Sequence, residues 1–158
     1  MTMAHMDQLE IVQDCAAWDC IDLEALAQKA VCQTLMHLGI EPAGHELAIL
    51  AADDTRIAEL NGTFREKAQP TNVLSWPAIA LEPGAPPLDT LGDIALAYQT
   101  CAREAEAAGK PFEHHVLHLL VHATLHLLGY DHINEADAEK MENNERLILG
   151  KLGVPDPY

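Results

Sequence analysis

The sequence predicts an α+β fold, a single domain over residues 1–158 with about four strands in one mixed sheet packed against about five helices. Three observations predict it. Apolar residues make up 49% of the 158, enough for one core without disulfide or metal staples. Short alternating or continuously apolar runs interleave, in mixed order, with longer runs of 3.6-residue period. Gly39, Pro70, Gly109, Pro111 and Gly129 fall where one run stops and the next begins.

In chain order, residues 1–8, opening MTMAHM, read as a loose N-terminus in which His5 has no assignable role. LEIVQD, Leu9 to Asp14, alternates enough for a first strand, whereas Cys15 to Ile21 shows no clear period. Leu23, Leu26, Ala27, Ala30, Val31, Leu35 and Leu38 then share one helical face, with Asp22 placed as N-cap and Gly39 just past the end. HELAILAAD, His45 to Asp53, reads as a buried strand. Asp54 can cap a short helix from Thr55 to Phe64 that turns Ile57, Leu60 and Phe64 inward. Pro70 stops it, and TNVLSWP continues in extended form to Pro77. Pro83, Pro86 and Pro87 make Ala78 to Thr90 a loop or a loose hairpin arm. GDIALA, Gly92 to Ala97, is the next strand, and Tyr98 to Ala108 an Ala- and Glu-rich helix closed by Gly109. Phe112 to Leu128, between Pro111 and Gly129, is the most apolar helix. The last helix, Glu135 to Leu152, carries Glu135, Asp137, Glu139, Glu142 and Glu145 as an acidic outer face and Ala138, Met141, Leu147 and Leu149 as an inner row. Strand order is not legible.

Nine Lys and Arg against 25 Asp and Glu leave a net charge of -16, which repels polyanions at long range and excludes a broad electrostatic footprint for nucleic acid. A phosphate-bearing substrate needs a local positive site. Cys15, Cys20, Cys32 and Cys101 form no CxxC pair and follow no apolar leader; they read as small buried hydrophobes in a reducing cytoplasm, with a metal or redox role as the alternative. No apolar run approaches the roughly 18 residues that span a bilayer. A cytoplasmic protein with no membrane partner is expected.

His114, His118, His122 and His126 recur every fourth residue of the apolar helix. Each step turns neighbours by only about 40°, so any adjacent pair can share a metal. The third ligand separates the pairs. Only His122 and His126 are followed closely by Gly129, which in a left-handed conformation swings His132 back toward them. Three imidazoles would leave one tetrahedral position open, as catalytic zinc sites do. His122, His126 and His132 are therefore the candidate ligands for one Zn2+ ion. For His114, His115 and His118 the favoured reading is packing or hydrogen bonding around the site. Asp131 suits two roles equally, orienting a ligand or substrate hydroxyl and capping the turn.

The spacing H-x-x-x-H-x-x-G-x-x-H matches the long zinc signature of metzincin proteases, except that Ala123 stands where they carry the glutamate that accepts the proton of the attacking water. Ala123 cannot do so. A zinc ion still lowers the pKa of bound water to roughly 7, which suits a reaction whose transition state needs charge neutralised more than a proton shuttled. Phosphodiester cleavage is one. The alternative is a zinc peptidase or amidase that recruits its base from Asp131 or Asp93. A non-catalytic binding module with structural zinc is disfavoured, because closed structural sites usually hold four ligands.

LNGTFREKAQPTNVLSWP, Leu60 to Pro77, places Arg65 and Lys67, two of the few cations, at a helix end beside a turn. Together with HATLHLLGYDH and LGDIALA it closely resembles the YbeY family of bacterial rRNA maturation factors, metal-dependent single-strand endoribonucleases. The resemblance is strongest over residues 51–152. It departs from the family at Ala123, where members carry glycine, and at Trp76, where Phe is common. In a helix interior Ala is favoured over Gly by about 1 kcal/mol, so the first change matters only where something must approach that backbone. The resemblance implies zinc on His122, His126 and His132, Arg65 as the cationic catalytic residue, and a metal helix like that of zincin proteases lying against a small sheet. It also implies a single-stranded rRNA precursor as substrate, with action at the 16S rRNA 3' end and in ribosome quality control, ribosomal partners, and no role on DNA. Trp76 can stack on a base or be buried beside Pro77.

Overall fold

The computed structural model describes residues 5–65 and 71–158, with 63–65 described by backbone alone. Four strands, β1 (Gln8–Gln13), β2 (Glu46–Ala52), β3 (Val73–Pro77) and β4 (Thr90–Ala97), form one sheet in the order β1-β2-β4-β3. β1, β2 and β4 run parallel, and β3 is antiparallel at the edge beside β4. Five helices surround it: α1 (Leu23–His37), α2 (Asp54–Arg65), α3 (Tyr98–Ala108), α4 (Phe112–Leu127) and α5 (Glu135–Lys151), with a short 3-10 turn at Ala16–Cys20. The architecture is the α+β class that the interleaved periods predict.

The two faces of the sheet follow from the period of two along each strand. Leu47, Ile49 and Ala51 of β2, with Ile94 and Leu96 of β4, join the main core under α1 and α4. Ala52, Ala95 and Ala97 turn the other way, where Ile57 of α2 and Leu74 of β3 cover them. Trp76 packs against this second cluster, in line with burial. α4 is the hub, touching α1, α3, α5, β3 and β4. The stretch without a period, Cys15 to Ile21, holds a core residue: Trp18 is fully buried, its indole N–H donates to the Ala52 carbonyl at 2.9 Å, and its ring meets Tyr98 and Phe112.

Several expectations need correction. The N-terminal stretch read as loose is anchored from Met6, which is fully buried and whose N–H donates to Gln28 at 3.0 Å; residues 1–4 lie outside the described part. The cap of α2 is Asp53, whose carboxylate accepts the Arg56 N–H at 2.8 Å, while Asp54 ties α2 to α3 by accepting from Thr100 N–H, Thr100 Oγ1 and Arg103. Only Cys32 and Cys101 are buried; Cys15 is half-buried and Cys20 exposed, and all four thiols are free. On α5 the assignment of faces fails at two residues. Leu147 is 58% exposed and Glu145 is 0% exposed, because the inward stripe runs through Met141, Glu145, Ile148 and Leu149 at helical spacing. Leu147 sits off that stripe. A carboxylate occupies its centre because partners on α4 satisfy it.

Candidate metal centre and cleft

α4 begins after Pro111, which lacks the N–H that a first turn leaves unpaired anyway, and ends in a Schellman motif. Gly129 N–H donates to the His126 carbonyl at 3.1 Å and Tyr130 N–H to the Leu125 carbonyl at 3.0 Å, with Gly129 at φ +98°. A side chain at position 129 would also place its Cβ 2.3 Å from the Leu81 carbonyl oxygen. The position thus demands glycine twice, for its φ and for the close approach of the 78–89 loop. Beyond the reversal, the Asp131 carboxylate accepts the His132 N–H at 2.7 Å. That bond lies within the turn, in line with a capping role, while Asp131 also lines the cleft beside the histidines.

The reversal brings His132 to His122 and His126. The three ring centroids stand 4.5–5.5 Å apart, and one nitrogen from each lies within 4.8 Å of the others. Nε2 of His122 and Nε2 of His126 face one another at 3.0 Å. Two nitrogens held by a tetrahedral zinc at about 2.0–2.1 Å stand roughly 3.3 Å apart, so the donor set fits such an ion. Burial, followed by the neighbouring His122 and His132, pushes the pKa of His126 down to about 4. Its imidazole is neutral at physiological pH, the form that binds metals.

Glu145 is the residue sequence reasoning missed. Its Oε1 accepts from Nδ1 of His122 at 2.6 Å, the Tyr158 hydroxyl donates to Oε2, and Nε2 of His118 stands 3.7 Å away. Burial alone would raise the Glu145 pKa, but the nearby His118 imidazole and the hydrogen bonds from His122 and Tyr158 outweigh it and bring the value down to about 2. A signal for it existed in the sequence, since its spacing from Met141, Ile148 and Leu149 places it on the inner stripe. His115 plays a parallel part behind the opposite wall. Its Nε2 bonds Glu104 at 2.8 Å, and Glu104 also accepts the Asn72 side-chain amide at 3.0 Å. Hydrogen bonding around the site, expected for His115 and His118, is what both do.

The triad opens onto a cleft of about 910 Å³ between the end of α4 and strand β3, lined also by Asn61, Asn72, Ser75, Leu81 and Ala123. Among its described lining residues Asp131 is the one carboxylate, and none is a Lys or Arg. Arg65 ends α2, but its side chain lies outside the described part, as does all of Lys67. Asp93 is not in this cleft. It lines a separate depression with Glu10 and Glu46, so it offers no base to the triad.

Known proteins resemble this chain over nearly its whole length. A family model described as Endoribonuclease YbeY matches residues 9–153, reaching well before the motif-bearing stretch from 51 onward. The Endoribonuclease YbeY of Paracoccus denitrificans is 54% identical over 95% of this chain and 89% of its own length. That of Dinoroseobacter shibae is 54% identical over 95% and 90%, and that of Rhodopseudomonas palustris 47% identical over 100% and 84%. The solution structure of TM1509 from Thermotoga maritima superposes with a TM-score of 0.58 over 92% of both chains at 22% identity, a likeness of fold.

Proposed function

This chain belongs to the YbeY family of endoribonucleases, and we propose that it is a zinc-dependent hydrolase cutting single-stranded RNA in the cleft between α4 and β3. The observation that carries the reading is the convergence of three neutral-capable imidazoles on an open cleft with Ala123, not a carboxylate, beside the first of them. His122, His126 and His132 would hold the ion. When bound, zinc supplies Lewis acidity, polarising a phosphoryl oxygen and making water acidic enough to ionise near neutral pH.

The chain's own groups do the rest. Ala123 offers no proton acceptor, so the site relies on charge neutralisation. Arg65, at the end of α2, neutralises the charge that develops on the phosphoryl oxygens, since guanidinium can grip phosphate through two parallel hydrogen bonds. Against a net charge of -16, that local cation and the ion are what admit a polyanion. A single strand enters such a pocket more readily than stiff duplex. The finer reading is maturation of 16S rRNA at its 3' end and ribosome quality control, on ribosomal particles in the cytoplasm; its support is the family resemblance. Among the described residues no helix is long and apolar enough to cross a membrane.

The test incubates purified protein with single-stranded RNA, duplex RNA and denatured casein, each with and without chelator. Cleavage of the single strand alone, abolished by chelator, is expected; casein cleavage would replace the reading with a peptidase. Arg65→Ala should lose about 3 kcal/mol of transition-state stabilisation, roughly 100-fold in rate, while retaining its zinc. A variant cutting at the normal rate would remove Arg65 from the mechanism.

A further inference from the structure

We propose that Glu145, with Tyr158 behind it, is a positioning residue that sets the orientation and donor strength of His122 toward the metal. The inference rests on the metal reading of the triad and adds to it a pair of residues on α5 and the segment after it.

The argument starts from cost. A carboxylate that is 0% exposed has given up its hydration, and a buried charge persists only where hydrogen bonds replace the lost water. Tying α4 to α5 does not require one, because a packed apolar pair at the same place holds two helices together as well or better. The carboxylate is spent on a particular atom, Nδ1 of His122, at 2.6 Å. An ionised carboxylate only accepts, so Nδ1 must carry the proton, and the lone pair of the imidazole is left on Nε2. That is the nitrogen which faces Nε2 of His126 at 3.0 Å. A carboxylate behind a ligating imidazole fixes its tautomer and ring plane and raises its basicity.

The three histidines are not served alike. The side-chain contact of His126 is with Nε2 of His122, not with a carboxylate. His132 has Asp131 at 3.8 Å from its Nδ1, beyond hydrogen-bond reach. His122 alone among the three has a buried carboxylate in contact. Tyr158 completes the arrangement: its hydroxyl holds Oε2, which leaves Oε1 turned to His122. Tyr158 is 53% exposed, and its ring lies edge-on to His118 at 5.6 Å and beneath the Arg146 guanidinium at 5.2 Å. Arg146 also bonds Asp156, whose carboxylate accepts the Tyr158 N–H at 2.9 Å.

The experiment measures zinc dissociation constants by competition with a chromophoric chelator, and the visible spectrum of the cobalt(II) form, for the full-length protein, Glu145→Gln and Tyr158→Phe. Gln keeps the volume and removes the charge; Phe keeps the ring and removes one donor. Glu145→Gln is expected to bind zinc roughly 10- to 100-fold more weakly, with shifted cobalt bands. Tyr158→Phe is expected to show a several-fold weakening in the same direction, and its retained ring packing provides the test should the Gln variant fail to fold. A purely structural tie would lower the melting temperature of the metal-free protein and leave affinity and spectrum as in the wild type; that result overturns the inference alone. Wild-type protein that binds no zinc overturns the metal reading, and the inference with it.

Discussion

Gly129→Ala tests how the histidine triad is built. At φ +98° an L-residue is strained by roughly 1–3 kcal/mol. The new Cβ would also meet the Leu81 carbonyl oxygen at 2.3 Å and its carbon at 2.7 Å, with the Glu82 carbonyl carbon at 3.0 Å, where ordinary contact begins near 3.4 Å. These are backbone atoms, so the loop must retreat by about 1 Å, at a further cost of roughly 1–3 kcal/mol. A total near 4 kcal/mol corresponds to a Tm lower by about 10 °C for a chain of this size. Ligand distances must hold within about 0.2 Å, so any yielding of the turn instead of the loop displaces His132 and weakens zinc. Gly109→Ala is the control. It has φ +65°, and a methyl group added there would meet nothing within 4 Å, so it carries backbone strain of about 1–2 kcal/mol without a clash. Thermal melts with and without zinc, together with zinc titration, compare the two. If Gly129→Ala melted with Gly109→Ala and bound zinc like the wild type, the double demand for glycine at 129 would be wrong.

Two further outcomes follow from the fold. Burial opposes ionisation of Asp54, but hydrogen bonds from Thr100 and Arg103 outweigh it and hold the carboxyl below its ordinary 3.8. A depressed folded pKa stabilises above the ordinary value and is lost as pH falls through the folded one. The Tm gap between wild type and Asp54→Asn should therefore be present at neutral pH and close below 3.8; a gap constant with pH would show that Asp54 acts by packing alone. Trp18→Phe leaves the buried Ala52 carbonyl without the indole donor, a loss of roughly 1–3 kcal/mol. Denaturant unfolding should report it as a lower midpoint at unchanged slope, and an unchanged midpoint would mean that the bond contributes nothing net.

The legible parts of this protein were those governed by nearby residues. The four-residue spacing of histidines, the left-handed glycine after them and the return of His132 are all local, and the structure reproduces them as a Schellman turn. Strand order was not legible, since β2 pairs with β4 across α2 and β3, and nothing in either strand marks its neighbour. Trp18 escaped because a single 3-10 turn shows one inward residue and no period. Glu145 was misplaced for a different reason. On α5 charge and angular position point to opposite faces, and the angular position holds, with Glu145 inside and Leu147 out. What overrode the charge was a partner 23 residues back on α4, which no pattern within α5 announces.

The three imidazoles come from one helix end and its turn, whereas the facing wall of the cleft comes from β3 and the loop after it, joined to α4 only by tertiary packing. On the proposed function, ion capture and strand recognition would be lodged in separate pieces of chain. Damage to the β3 wall would then silence the molecule while it still carried a full complement of ion, so metal content would vouch for one half of the cleft and be silent about the other.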